Sequence, residues 1–139
     1  MTKEMISKSP NQKRTAKFSE AGEIRFGPGY FYLSIDSLSF YKRIFGHRVA
    51  WSDDDRFIAL QAWHNIEESL GPRTSLVIVD LENTLEAGFT MFHGYAMPIS
   101  FSRHILRHDD LNWSTGSCMK IEKETDLELI DWWKKIAQP

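Results

Sequence analysis

Cys118 is the only cysteine in the 139-residue sequence, so no disulfide can close within one chain and a reducing compartment is expected. Cys118 itself is expected to be a small buried hydrophobe on a strand. No run of residues approaches the ~20 apolar positions of a membrane-spanning helix. The N-terminal stretch has only Met5 and Ile6 among polar residues, which is no apolar core for a secretion signal. A cytoplasmic location is the expectation. The sequence also lacks GxSxG, a Walker loop, GxGxxG, HExxH and any CxxC pair. The strongest signatures of acyl transfer, nucleotide cleavage, dinucleotide binding, zinc proteolysis and dithiol chemistry are therefore missing, and no cofactor is expected.

What is present has the balance of a globular domain: 42% hydrophobic, 26% charged and 13% aromatic residues, with a net charge of −2. One domain is expected from the length. The charge is unevenly spread. Residues 1–17 hold Lys3, Lys8, Lys13, Arg14 and Lys17 against Glu4 alone, so the remainder is acidic. The first 20 residues lack periodicity and read as a flexible basic N-terminal arm, leaving residues 21–139 as the globular domain. Such an arm could seek phosphate, but scattered charges without a docking fold make nucleic acid an unlikely partner.

The organising stretch runs from His47 to Leu81. Val49–Trp51 is apolar, Ser52–Asp55 has turn composition, and Phe57–Trp63 and Leu76–Leu81 are rich in aliphatic and aromatic residues. Both alternating sets in these runs are apolar, which places them in the middle of a sheet covered on both sides. Ile24 and Phe26 suggest a first strand. Tyr30–Ile35 alternates cleanly, with Phe31, Leu33 and Ile35 toward a core and Tyr30, Tyr32 and Ser34 on a partly wet face. Residues 37–45 fit either a helix or a strand, ended by Gly46. Further strands are expected over Phe89–Met97 and Ile99–Leu106, divided at Pro98, with a last one at Met119 and Ile121. Asp109, Asp110, Asn112 and Gly116 read as the loop before it.

At the C-terminus, Thr125 and Glu128 have the spacing of a capping box. Asp126 and Asp131 near the start, and Lys134 and Lys135 near the end, complement a helix dipole. Leu127, Ile130, Trp133 and Ala137 then form an apolar face. The spacing predicts a helix that covers the sheet, with Trp133 buried and Trp132 nearer an edge or in an interface. The expected fold class is thus mainly β (α+β): an antiparallel meander sheet or sandwich of six to eight strands with a C-terminal capping helix.

Trp51, Ser52, Asp53, Asp55, Arg56, Ile58 and Ala59 resemble the inner part of a bacterial propeller blade of the TolB or WD-repeat type, and Leu76–Leu81 is similar to the strand that follows. Leu111–Gly116 ahead of Met119 and Ile121 is a second echo. A closed propeller is excluded by size, since blades of ~40 residues would number about three. The resemblance implies an antiparallel meander with hairpins at acidic turns, a scaffold used for binding more often than for catalysis.

Two constellations carry possible chemistry. His104, His108 and Asp109, with Asp110 alongside and His93 on the preceding strand as a further candidate, have the ligand types of a zinc or manganese site or of a general base. On a regular strand, however, His104 and His108 would lie about 13 Å apart. That reading gives the alternative function, a metal-assisted hydrolase. The second constellation is the acidic turns: Asp53, Asp54 and Asp55 at a hairpin tip, Glu67 and Glu68 in the next loop, and Asp109 and Asp110 later. With Trp113 or exposed tyrosines as anchors, these are the candidate partner-binding residues, a negative surface that steers a basic protein partner. The compact single domain, acidic body, abundant aromatics and missing catalytic motifs are similar in profile to small bacterial immunity-type proteins. That likeness implies a protein partner, a cognate toxin domain whose active surface is masked, with no catalytic residues.

Overall fold

The computed structural model describes residues 4–23, 29–66, 71–114 and 117–139. Ile24 and Phe26, expected to open a strand, lie outside them. Among the described residues, twelve strands form one antiparallel sheet: β1 (Glu4–Lys8), β2 (Thr15–Glu23), β3 (Gly29–Ile35), β4 (Leu38–Ser39), β5 (Ile44–Trp51), β6 (Phe57–Trp63), β7 (Arg73–Asp80), β8 (Leu85–Gly88), β9 (Phe92–Ser102), β10 (Ile105–Ser114), β11 (Ser117–Asp126) and β12 (Lys134–Lys135). The main path runs β1-β2-β3-β5-β6-β7-β9-β10-β11, with β4 beside β3 and β8 between β7 and β12. The mainly β, antiparallel class expected from the sequence is observed, with more strands than expected.

The centre is buried on both faces, as its apolar alternation requires. Ile58, Leu60 and Ala62 of β6 and Val77 and Val79 of β7 join a core with Phe18, Phe31, Leu33 and Phe45. Their neighbours Ala59, Leu76 and Ile78 point the other way, into a core with Ala87, Ala96, Leu106, Leu127 and Ile130. The two flanks of the sheet thus cover opposite faces of its middle. β7 makes this possible by changing partner: Arg73 and Thr74 pair with β9, and Val77 to Asp80 pair with β8. Where β9 diverges, the buried Thr74 hydroxyl donates to the Gly94 carbonyl and accepts from the Ala96 amide, both at 2.8 Å.

Several expectations are corrected. Residues 4–8 and 15–23 are no free arm. They pair as the β1–β2 hairpin, whose inward Ala16 and Phe18 join the first core, while the Trp51 indole N–H donates to Ser7 Oγ at 2.9 Å. Gly46 lies inside β5, and residues 37–45 supply β4, a turn and the start of β5. Pro98 does not divide two strands: β9 runs through it, and the ladder to β10 absorbs the proline at an irregularity between Arg107 and His108. The chain reverses instead at Arg103 (φ 57°) and His104.

The C-terminal helix is not formed. Thr125 remains in β11 opposite Leu106, Asp126 caps a single 3-10 turn at Leu127–Leu129, and the tail ends as β12 against β8. The buried positions are Leu127, Ile130 and Ile136, with Trp133 half-buried between them and packed on Phe57. Their spacing is an even three, the period of 3-10 and extended polyproline-like backbone rather than the 3.6 of an α-helix. Trp132 is exposed, with its indole N–H donating to the Gly88 carbonyl at 3.0 Å. Among the described residues, no helix is long and apolar enough to cross a membrane.

Candidate functional site

The acidic β5–β6 tip divides its three aspartates between surface and interior. Asp53 and Asp54 are exposed, whereas Asp55 is 2% exposed. Asp55 adopts a left-handed φ of 62°, a conformation short polar side chains tolerate. Its carboxylate accepts from Ser9 Oγ at 2.7 Å, the Asn11 amide at 3.0 Å and the Lys13 amide at 3.2 Å. Burial pushes the Asp55 carboxyl up, but these donors outweigh it and its pKa is lowered. Asp55 is therefore a latch that fastens the β1–β2 turn to the tip. Asp54 accepts from Ser52 Oγ at 2.6 Å and from the Arg56 amide at 3.1 Å. The Ser52 hydrogen bond holds its carboxyl below the usual range.

A second buried acid organises the same end. Asp80 accepts two bonds from the Arg56 guanidinium, at 3.1 and 3.0 Å, and three more from the Glu82 and Asn83 amides and the Asn83 side chain. Burial opposes ionisation of Asp80, yet Arg56 and Asn83 lower its pKa. The carboxylates that this end keeps at the surface are Asp53, Asp54 and the largely exposed Glu82, which lies 3.5 Å from Arg56.

The remaining sequence candidates do not join this patch. Asp109 and Asp110 lie inside β10, in no loop, and as consecutive strand residues they point to opposite faces. Asp109 lies 3.8 Å from Lys120. Asp110 is buried 2.8 Å from Lys123. Trp113 touches Tyr95 edge-on at 5.5 Å, and Tyr95 touches Trp63 at 6.2 Å. This places Trp113 at the far end of β6 from the acidic tip, about 20 Å along a seven-residue strand. Glu67 and Glu68 lie outside the described residues.

The proposed metal ligands also separate. His108 is buried on the inner face of β10, with Nε2 2.8 Å from Thr125 Oγ1 and Nδ1 3.7 Å from Asp110. With Lys123 they line a cavity of about 180 Å³ against Leu76, Phe89 and Phe92. Burial raises the Asp110 carboxyl, and His108 and Lys123 bring it below its usual value. His104 sits at the β9–β10 turn, and His93 accepts from Arg73 Nε at 2.9 Å. His104 does have acidic neighbours, Asp126 at 3.7 Å and Glu128 at 3.6 Å, and ligand atoms of these three lie within 4.8 Å of one another. A cation at this position would be held by residues other than His108 and Asp109.

The end opposite the acidic tip holds groups the sequence reading missed. Between β3 and β5 the sheet splays beyond the single pair Phe31–Phe45, opening a cleft of about 830 Å³ whose walls include Tyr32, Tyr41, Lys42, Arg43, Trp63 and His64. Trp63 is seated by Gln61, which accepts its indole N–H at 2.9 Å and donates to the Ala96 carbonyl at 2.8 Å. A Cβ at Gly46 would collide with Gln61 Oε1, so a larger residue there must displace the Gln61 side chain. The available signal was Ser39–Arg43, where two aromatic residues precede two basic ones, together with Tyr32 on the wet face of its strand. Cys118, expected to be buried, is exposed on β11. No protein-family model, curated protein or solved structure matches the chain.

Proposed function

We propose that this chain is a protein-binding module of the immunity type, which neutralises a basic toxin domain by covering its active surface. The observation that supports this reading is the rigid acidic tip. Asp55 and Asp80 are consumed as internal fasteners, and Asp53, Asp54 and Glu82 are thereby presented on turns already fixed in place. A preorganised charged surface accelerates encounter and loses little conformational entropy on binding. The contact surface in this proposal is the acidic end alone, without Asp109, Asp110 or Trp113. The hydrolase alternative is weakened because His104, His108 and Asp109 occupy different environments.

The test uses the double variant Asp53→Asn, Asp54→Asn. It keeps the Ser52 and Arg56 hydrogen bonds to residue 54 and leaves Asp55 untouched. The wild-type chain is expected to capture a polypeptide from its host lysate that is toxic when expressed alone and harmless when co-expressed with the chain. The variant is expected to associate at least about tenfold more slowly at low salt. Failure to find a polypeptide whose toxicity the chain relieves would overturn the proposal, and unchanged association would remove the tip from the interface.

A further inference from the structure

We propose that the cleft between β3 and β5 binds a small organic anion that carries a flat ring, the chemistry of a nucleoside monophosphate. This site lies at the other end of β6 from the acidic tip and does not depend on the immunity reading. Its volume of about 830 Å³ falls within the range of small-molecule sites, ~300–1,000 Å³. Its charge runs against that of the chain. The sequence holds 19 acidic residues against 17 Lys and Arg, yet the cleft wall contains Lys42, Arg43 and His64 and no carboxylate among the described residues.

Each basic group is placed for a different task. Arg43 is fixed from behind: Nη1 donates to the buried Glu86 at 2.8 Å, and the guanidinium lies over the Phe40 and Phe45 rings, 5.6 and 5.3 Å from their centroids. Glu86 is its only carboxylate partner among the described residues, so the rest of the planar fork has donors to spare for an anion. Lys42 has no carboxylate partner among the described residues, and its ammonium sits 5.3 Å from the Tyr41 ring centroid. Among the described residues it is therefore the cleft's one Lys or Arg without a carboxylate partner. His64 is held by a 2.6 Å hydrogen bond with Ser75 Oγ, and burial and then Arg43 lower its pKa.

The ring specificity comes from the tyrosines. Tyr32 and Tyr41 are 54% and 56% exposed although both line the same concavity. Exposed aromatic faces beside a cation suit stacking on a planar heterocycle whose phosphate reaches the basic groups. Lys42 also occupies a left-handed φ of 60°, which glycine adopts at lower cost. A lysine in that turn gives up local stability and places a charge on the cleft, which makes Lys42→Gly a clean probe.

The experiment is an NMR titration of the full chain with AMP, adenosine and inorganic phosphate separately. AMP is expected to shift amide signals of residues 40–44 and 62–64 saturably. Adenosine and phosphate should each bind at least about tenfold more weakly, since each lacks one half of the recognition. Lys42→Gly should retain the folded spectrum and weaken AMP roughly tenfold, the weight of one charge-assisted hydrogen bond, and Tyr32→Ser should erode the preference for AMP over phosphate. Absence of saturable AMP binding, shifts centred elsewhere, equal binding of phosphate, or unchanged AMP affinity in Lys42→Gly would each overturn the proposal.

Discussion

The two ends of β6 are built from opposite materials. At the tip, buried carboxylates hold the turns: Asp55 gathers the β1–β2 hairpin and Asp80 clamps Arg56 and the residues after β7. At the other end, rings hold one another, as Tyr30, Trp63, Tyr95 and Trp113 follow in successive contacts of 5.4, 6.2 and 5.5 Å. A charged clamp is directional and titrates. An aromatic row is held by area and edge-to-face fit, and carries no carboxylate charge for acid to remove. The contrast explains why a cluster of aspartates in sequence is a poor guide to an acidic surface. Whichever carboxylates fasten the turns are lost to it.

The largest effect is expected from Asp80→Ala, which leaves Arg56 only the exposed Glu82 at 3.5 Å and opens the β7–β8 turn. Losing one member of a fully buried pair costs ~3–5 kcal/mol. Because the Arg56 side chain is 36% exposed, the expected loss is about 2–3 kcal/mol in a urea denaturation. At the aromatic end, Gly46→Ala forces Gln61 away from Trp63 and should cost about 1–3 kcal/mol as overpacking, with quenching or a shift of tryptophan fluorescence as the local readout. A variant as stable as the wild type would remove Gln61 as the support of that end.

Acid should separate the two ends further. The carboxyls of Asp55, Asp80 and Asp110 have folded-state pKa values below their ordinary ones. Around pH 4 the unfolded chain therefore binds more protons than the folded one, and stability rises with pH. These contributions are complete above the unfolded value of ~3.9 and disappear as pH falls through the lowered folded values. Denaturation followed from pH 6 to 2 should show this loss, with a shallower slope in Asp80→Ala and an unchanged slope in Gly46→Ala; equal slopes in all three would erase the distinction. The smallest effect is expected from Asp53→Asn with Asp54→Asn, whose stability should stay within about 0.5 kcal/mol of wild type.

The legible part of the fold was the part where local pattern and tertiary environment agree. Phe57–Trp63 is a strand with the bounds its composition indicated, and the apolar residues on both faces of β6 and β7 announced their central position. Two segments misled for physical reasons. The tail from Thr125 carries real capping residues, but an even spacing of three favours an extended run once Leu127, Ile130 and Ile136 have cores to enter. The N-terminal segment looks like a solvated arm because its anchors, Asp55 and Trp51, lie more than forty residues away. At the sites, the acidic tip was legible as a turn. The burial of Asp55, and the pairing of Asp109 and Asp110 with the lysines of β11, were not.

The sequence by itself determined the antiparallel β class, the double-sided centre of the sheet and the turn at Ser52–Asp55, because alternation and turn chemistry act over a few residues. Tertiary structure alone decided which aspartates face water, where Trp113 lies, and that Tyr32, Tyr41, Lys42, Arg43 and His64 share one cleft. Each of those outcomes depends on a partner far away in the chain, and the pairing of distant strands is set by the packing of the whole sheet.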